Sequence, residues 1–304
     1  MKEHGKKVRL VHNPAAGDED NGSKDELCQL IEDLGHRCTV VTKKDAVKKI
    51  HPETDLIALA GGDGTIKMTI MALLEKKLRF KRPIAILPQG TANNIANSLG
   101  IPLDCKQAMH LWKNFQLKKF DVGMMTGLSR KPLHFIESIG FGVFPILMEK
   151  MDKKNTHAAS ADDEIRIALQ QLQKLALTFP GKVLNLATAA GNIKAECIMV
   201  EVMNIASMGP RLVLAEDADP GDGQFDIVIV TTDQRQELVD YIDGLLNEKN
   251  VDFNIKPIRA NRISMEWQGT ELHIDDECKD YSGQQLKISL LNSLVEIVVG
   301  EIDP

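Results

Sequence analysis

The first 120 residues alternate short apolar runs with helical patterns, and this alternation limits the fold more than any other feature. Apolar runs typical of buried strands occur at residues 8–11, 38–41, 56–60 and 84–87, and helical patterns at 24–34 and 65–75. Strands that are apolar along their whole length are buried on both faces, which indicates a parallel sheet covered by helices. We therefore expect a Rossmann-like α/β domain whose ligands bind at the carboxyl ends of the strands.

From about Phe120 the pattern changes to strands separated by turn residues. Strands are predicted at residues 133–139, 182–188, 196–205, 225–230 and 262–267, with only two helices, at 162–177 and 234–246. This favours a second, mainly antiparallel β domain. The predicted domains are residues 1–122, which the closing residues 292–304 can rejoin, and residues 123–291. Residues 155–163 are predicted to form an exposed loop.

Charge and cysteine content exclude several classes of protein. The net charge of -6 gives no global attraction to nucleic acid, so we expect no nucleic-acid partner. The five cysteines are scattered without a C-x-x-C pair, which argues against a zinc site or a disulfide framework. The first residues lack the apolar core of a signal peptide, and no run approaches the roughly 18 apolar residues of a membrane span. We expect a cytoplasmic protein that is at most peripherally membrane-associated; its basic clusters at 43–49 and 76–82 are either solvated helix faces or contacts for an anionic surface.

A glycine-rich loop, Gly61-Gly62-Asp63-Gly64-Thr65, follows the third apolar run directly and precedes a helix. Its glycines permit a close approach of the backbone to a ligand, and N–H groups at the start of the next helix attract anions. Asp63 is suited to holding a metal or a hydroxyl group, and Thr65 to capping the helix or binding a phosphate. The loop lacks the Lys of a Walker loop and the third glycine of a dinucleotide fingerprint.

Two further polar loops follow strands of the same predicted sheet. One contains Gly90, Thr91 and Asn93, and the other runs from Asn13 to Gly17. Adjacent parallel strands bring such loops to one crevice, although the Asn13–Gly17 loop taken alone is equally compatible with an ordinary turn.

Two acidic segments lie in the predicted second domain. Residues 217–226 carry four carboxylates ahead of a strand, which suits Mg²⁺ or Ca²⁺ but also a solvated turn. Residues 273–277 end another strand with Asp275, Asp276 and Glu277, which is compatible with either a general base or an exposed turn.

These five segments, in this order, resemble the diacylglycerol kinase catalytic domain family, specifically the soluble bacterial lipid kinases that include sphingosine-kinase relatives. The resemblance extends from Val8 to Val299. The G-G-D-G-T loop alone is shared with NAD kinases and phosphofructokinases, so the Gly90-Thr91-x-Asn93 loop and the Asp222-Gly223 pair are more specific. Two positions depart from the family pattern, because Asn94 stands in place of an Asp and Asp276 in place of a Gly.

The resemblance implies a role for each segment. It implies an N-terminal nucleotide domain, a C-terminal β-sandwich, and a lipid that enters between them. Asp63 would lie near the transferred phosphate, and Asp275 or Glu277 would be the catalytic base. Asp219, Asp222 and Gln224 would hold a structural Mg²⁺, with Asp219 and Gln224 contributing backbone oxygens. The ATP site would be lined by Asn13, Pro14, Gly17, Thr42, Gly61, Gly62, Asp63, Gly64, Thr65, Gly90, Thr91 and Asn93.

The function that follows is a lipid kinase that transfers the γ-phosphate of ATP to the hydroxyl of a lipid such as diacylglycerol, with Mg²⁺. Two alternatives remain: an NAD kinase-like enzyme with a soluble acceptor, and a catalytically silent nucleotide-binding regulator. The expected partners are a lipid alcohol and, transiently, a membrane surface, while a homodimer is left open.

Overall fold

The computed structural model describes residues 5–13, 22–42, 45–46, 48, 50–75, 82–153 and 160–300. The chain divides into two compact units. The first comprises Met1–Phe120 together with Ser293–Pro304, and the second comprises Asp121–Asn292.

The first unit is built on a parallel sheet. Its strands are β1 (Lys7–His12), β2 (Arg37–Thr42), β3 (Leu56–Gly61) and β4 (Ile84–Pro88). They are ordered β2-β1-β3-β4, and every neighbouring pair is parallel. The last part of the long final strand adds to β4, also in parallel, with Ile297 opposite Ile84.

Helices connect these strands. They are α1 (Lys24–Asp33), α2 (Asp63–Glu75), α3 (Asn94–Ser98) and α4 (Cys105–His110), followed by a 3-10 turn at Leu111–Lys113. Ser23 and Glu26 form a capping box at the start of α1 and satisfy its free N–H groups. Strands β3 and β4 are buried at every residue, as their uniformly apolar sequence predicts.

The second unit is rich in antiparallel strands. Its strands are β5 (Gln116–Thr126), which begins in the first unit, β6 (Leu133–Phe135), β7 (Ser138–Gly142), β8 (Lys182–Thr188), β9 (Gly191–Met203), β10 (Ser207–Met208), β11 (Leu212–Val213), β12 (Phe225–Thr231), β13 (Ile258–Ala260), β14 (Arg262–Trp267), β15 (Glu271–Ile274), β16 (Glu277–Asp280) and β17 (Leu286–Val299), which ends in the first unit. Its helices are α5 (Val143–Lys153), α6 (Ala161–Thr178) and α7 (Arg235–Leu246). Strand β9 pairs with β8 along its first half and with β7 and β12 along its second half, so it organises the unit.

The core of the second unit includes closely packed aromatic rings. Phe141 stacks on Trp267 with ring centroids 5.6 Å apart, and Phe135 on Phe225 at 5.4 Å. Such pairs add to the apolar area that they bury. The predicted fold class, an α/β first domain with a parallel sheet and a mainly β second domain, is confirmed.

Three predictions of local structure were wrong. The predicted strand 133–139 is divided into β6 and β7 by a bend at Ile136 and Glu137. Helix α5 was missed because Gly142 and Pro145 resemble turn residues, although proline is tolerated in the first turn of a helix. Residues 161–163 of the predicted loop 155–163 form the first turn of α6, which Ser160 caps. Residues 154–159 lie outside the described part of the chain.

Among the described residues, no helix is both long enough and apolar enough to cross a membrane. Most of the predicted basic clusters at 43–49 and 76–82 falls outside the described residues. Of the two cluster members that are described, Lys48 forms an ion pair with Asp45, and Arg82 donates a hydrogen bond to the carbonyl oxygen of Pro52.

Candidate functional site

Two glycine loops of the first unit are in direct backbone contact. Strands β3 and β4 end side by side, with Gly61 opposite Pro88, and the N–H of Gln89 donates to the carbonyl oxygen of Gly61 at 3.2 Å. A Cβ atom on Gly62 would lie 2.9 Å from the Cα of Gly90, and one on Gly90 would lie 2.5 Å from the Cα of Gly62. Since real Cβ contacts are longer than this, only glycine allows the two loops to meet.

The carboxylate of Asp63 holds the second loop in place. Its two oxygens accept hydrogen bonds from the N–H groups of Asn94 and Ile95, at 2.9 and 3.0 Å. Asn93 has a left-handed φ of 53°, and its side chain both accepts from the N–H of Gly90 and donates to the carbonyl of Gly90. Asp63 therefore caps α3, a short helix that begins immediately after Asn93.

The hydroxyl of Thr65 links the glycine loop to the first strand. The amide of Asn13 donates to Thr65 Oγ1 at 3.1 Å, and the N–H of Asn13 donates to the carbonyl of Ala60 at 3.1 Å. A Cβ on Gly61 would lie 2.5 Å from Thr65 Oγ1, so the glycine makes room for this hydroxyl. The positive end of the α2 dipole thus lies at a loop fixed from both sides, an arrangement that favours anions such as phosphates.

The structure places three of the other residues predicted for the nucleotide site. Gly64 lies in the first turn of α2, and Thr91 lies between β4 and α3 with part of its surface exposed. Thr42 ends β2, is exposed, and donates from its hydroxyl to a carboxylate oxygen of Asp45 at 3.0 Å. Pro14 and Gly17 lie outside the described residues.

Sequence reasoning missed Arg9, which orders the segment that follows β2. Its guanidinium is buried and donates to the carbonyl oxygens of Asp45, Ala46 and Lys48 at 2.6 to 2.9 Å. An arginine inside an otherwise apolar strand was the available indication, because such a side chain needs buried acceptors.

In the second unit, Asp275 binds the main chain. Its carboxylate accepts hydrogen bonds from the N–H groups of Ile136, Glu137 and Ser138, at 2.8 to 3.2 Å, and its own N–H donates to the carbonyl of Ser138. Asp275 is buried and has a left-handed φ of 50°. These bonds occupy the N–H groups at the bend between β6 and β7, which explains why the predicted single strand is divided.

Glu277 differs from Asp275 in its surroundings. It is exposed, begins β16, and forms an ion pair with Lys279. The two candidate bases therefore lie in one hairpin. The carboxylate of Asp275 is bound by backbone donors, whereas Glu277 is exposed to solvent.

Sequence reasoning also missed a buried pair of side chains, Glu201 and His273. Nε2 of His273 lies 2.9 Å from a carboxylate oxygen of Glu201, and Nδ1 lies 2.9 Å from the carbonyl oxygen of Asp275. The carbonyl cannot donate, so Nδ1 carries a proton and a second one lies between Nε2 and Glu201. A Cβ on Gly140 would lie 2.2 Å from the Glu201 carboxyl group, so the pair needs a glycine there.

The environment raises the pKa of both members of this pair. Burial raises the pKa of Glu201 above its usual value, and the neighbouring His273 opposes this rise. Burial acts to lower the pKa of His273, but Glu201 and the hydrogen bond to Asp275 outweigh it, so the pKa of His273 is raised. The pair therefore retains its shared proton to a higher pH than a free histidine would.

Two carboxylates of the acidic segment 217–226 accept hydrogen bonds from N–H groups of the same segment. Asp219 accepts from the N–H of Gly221, and Asp222 accepts from the N–H of Gln224, both at 2.8 Å. The second carboxylate oxygen of Asp222 contacts the guanidinium of Arg259. Within the described part of the chain, no group of three or more His, Cys, Asp or Glu side chains is arranged to hold a metal. The predicted Mg²⁺ site, with backbone oxygens of Asp219 and Gln224 beside the carboxylate of Asp222, stays a prediction.

Asp121 and Asn204, which sequence reasoning did not select, join the acidic segment to the bend at Ile136. Asp121 is buried, donates its N–H to Pro220 O at 2.6 Å, and accepts from the N–H of Gly223 at 2.9 Å. The amide of Asn204 donates to the carbonyls of Asp121 and Ile136, at 3.1 and 2.9 Å. A buried polar network thus connects two segments that lie far apart in the sequence.

Comparison with known proteins agrees with this architecture. Residues 7–125 match the family model of the diacylglycerol kinase catalytic domain. A diacylglycerol kinase of Bacillus subtilis (strain 168) is 26% identical over 285 residues, which cover 90% of each chain. A diacylglycerol kinase of Staphylococcus aureus (strain bovine RF122 / ET3-1) is 30% identical over 130 residues, 40% of each chain. The crystal structure of a diacylglycerol kinase from Bacillus anthracis str. Sterne shares the fold, with a TM-score of 0.67 and 20% identity over 97% of both chains.

The resemblance predicted from the five segments is confirmed: over residues 7–125 the chain carries a domain of the diacylglycerol kinase catalytic family. The chain is thus similar to kinases of the diacylglycerol kinase type.

Replacing Gly90 by alanine tests the contact between the glycine loops. Because the new methyl group would meet the backbone of Gly62, we expect Gly90→Ala to lower the free energy of unfolding by about 1–3 kcal/mol and to abolish nucleotide binding. Urea denaturation and calorimetric titration with ATP measure the two effects. The matched control is Gly35→Ala, which has open space around its Cβ but a φ of +83°, and which should lose some stability while retaining binding. Unchanged ATP affinity in Gly90→Ala would contradict the role of the contact.

The buried pair predicts how stability depends on pH. Because the folded pKa of His273 is raised, its contribution is fully present below about pH 6.5 and is lost as the pH rises through the folded-state value. We expect the urea midpoint to fall as the pH rises above about 6.5, and Glu201→Gln to reduce this fall because a neutral amide no longer holds the proton. Glu196→Gln, an exposed substitution on the same strand, is the control. The same slope in the wild type and in Glu201→Gln would argue against a shared proton.

Proposed function

We propose that the chain is an ATP-dependent lipid kinase that transfers the γ-phosphate of ATP to the hydroxyl group of a lipid, with diacylglycerol as the first acceptor to test. The observation that carries this proposal is the backbone contact between Gly62 and Gly90 at the positive end of α2. The similarity to the Bacillus subtilis enzyme, which covers 90% of both chains, supports the choice of a lipid acceptor.

The glycine loops supply what phosphoryl transfer chiefly needs, which is positioning and stabilisation of negative charge. In the proposed reaction, the lipid hydroxyl oxygen forms a bond to the γ-phosphorus, and the bond from that phosphorus to the bridging oxygen of ADP breaks. Mg²⁺ bound to ATP would supply positive charge beside the phosphates. The N–H groups at the start of α2 and the loop containing Thr91 would contact the phosphates.

Asp63 acts in this proposal by positioning the second loop. Its carboxylate is bonded to the N–H groups of Asn94 and Ile95, so it couples the first glycine loop to the start of α3. A place near the transferred phosphate, as the family resemblance implies, stays a prediction.

Glu277 is the better candidate for the residue that accepts the hydroxyl proton. The carboxylate of Asp275 is committed to three backbone N–H groups, whereas that of Glu277 is exposed. A general base must come within hydrogen-bond reach of the proton that it removes, and Glu277, although paired with Lys279, is exposed on a side that a substrate can approach. Asp275 then has a structural role, since it shapes the turn from which Glu277 projects.

A lipid acceptor also implies transient contact with a membrane surface, because diacylglycerol resides in bilayers. A catalytically silent, nucleotide-binding regulator is the second candidate, and the two departures Asn94 and Asp276 favour it. Transfer of phosphate to lipid distinguishes the two functions.

The first experiment uses radiolabelled ATP and mixed micelles that contain diacylglycerol, monoacylglycerol, phosphatidylglycerol, sphingosine or ceramide in turn. We expect one labelled phospholipid, strongest with diacylglycerol, and none with Gly90→Ala. NAD in place of lipid tests a soluble acceptor. ATP binding without a labelled product on any acceptor would support the silent regulator and reject the kinase proposal.

Substitutions in the hairpin separate the two candidate bases. We expect Glu277→Gln to lower kcat by roughly 10²-fold or more without changing the melting temperature, because general-base catalysis commonly contributes that much. Asp275→Ala should lower the free energy of unfolding by about 1–3 kcal/mol, because three buried N–H groups lose their acceptor. Asp276→Asn, in the same turn, is the control. A fully active Glu277→Gln variant would remove Glu277 from the chemistry.

A further inference from the structure

An arginine faces the acidic segment 217–226. Strands β12 and β13 are antiparallel, and their register places Arg259 directly opposite Asp226. This position is set by the sheet and not by a mobile loop, so the guanidinium is held beside the carboxylates that precede β12.

The guanidinium of Arg259 lies close to two carboxylates. Its Nη2 forms an ion pair with Oδ2 of Asp222, and its Nε lies 3.8 Å from Oδ1 of Asp226. The side chain of Asp226 is 4% exposed, and burial, together with Asp217, raises its pKa to about 6, so a nearby cation favours its charged form. One arginine thus supplies positive charge at both ends of the turn.

Asp219 and the N–H of Gly223 also take part in hydrogen bonds within the protein. Asp219 accepts from the N–H of Gly221, and the N–H of Gly223 is bound by Asp121. Mg²⁺ requires an octahedral shell of oxygens at about 2.0–2.1 Å. It would also be repelled by the positive charge of the guanidinium.

We propose that the guanidinium of Arg259 stands in this chain where the family resemblance calls for a structural Mg²⁺, so that the acidic segment keeps its fold without a divalent metal. The magnesium that accompanies ATP is a separate ion. The proposal therefore concerns stability in the absence of nucleotide and is independent of the kinase reaction.

The first test uses the wild-type protein without nucleotide. Its melting temperature is measured in EDTA and in millimolar MgCl₂, and hydrogen exchange is followed at residues 219–226 under both conditions. We expect the same melting temperature and the same exchange. Stabilisation by Mg²⁺ together with slower exchange in this segment would overturn the proposal.

The second test removes the guanidinium. Arg259→Gln should melt about 2–4 °C lower than the wild type in EDTA, the shift that a loss of about 1 kcal/mol gives in a unit of this size. MgCl₂ should restore it, because a cation then enters the vacated place. Arg262→Gln removes an exposed arginine from the next strand, β14, and should show neither effect.

A variant Arg259→Gln that melts like the wild type in EDTA, or that does not respond to Mg²⁺, would overturn the proposal. If Arg259→Gln does not fold, the proposal is tested with Arg259→Lys instead, because lysine keeps the positive charge. We expect Arg259→Lys to be as insensitive to Mg²⁺ as the wild type, and a requirement for Mg²⁺ would overturn the proposal.

Discussion

The contact between Gly62 and Gly90 is the constraint on which the candidate site depends. Two parallel strands end side by side, and their loops approach until the backbones touch, which no residue with a Cβ would permit. Asp63 and Asn93 then fix the second loop through main-chain hydrogen bonds. The geometry at the start of α2, which favours anions, is set by the backbone, and the side chains of the loops mainly preserve it.

The second unit depends on buried carboxylates that bind the main chain. The carboxylate of Asp275 accepts hydrogen bonds from three N–H groups at the bend between β6 and β7, and that of Asp121 accepts one from the N–H of Gly223. In the same hairpin, His273 bonds to the carbonyl oxygen of Asp275 through Nδ1 and to Glu201 through Nε2. Residues that look catalytic in the sequence can thus have structural roles, and only their hydrogen-bond partners distinguish the two.

The sequence predicted those features whose cause is local. Strands β1 to β4 follow from uniform apolar runs, and the glycine loop follows from five adjacent residues. The bend between β6 and β7 was missed because its cause, Asp275, lies 139 residues from Ile136. The same holds for Glu201 and His273, which are 72 residues apart, and for Arg259, which meets Asp222 only through the pairing of β12 with β13. Long-range partners of this kind leave no local pattern.

Asp63 accepts hydrogen bonds from the N–H groups of residues 94 and 95, and these main-chain donors do not depend on the type of side chain at those positions. The family's Asp can therefore be exchanged for the Asn94 of this chain without loss of the cap. Proline alone lacks the required donor. A substitution at residue 94 that its buried surroundings accommodate therefore changes the charge beside the glycine loops while this cap stays the same.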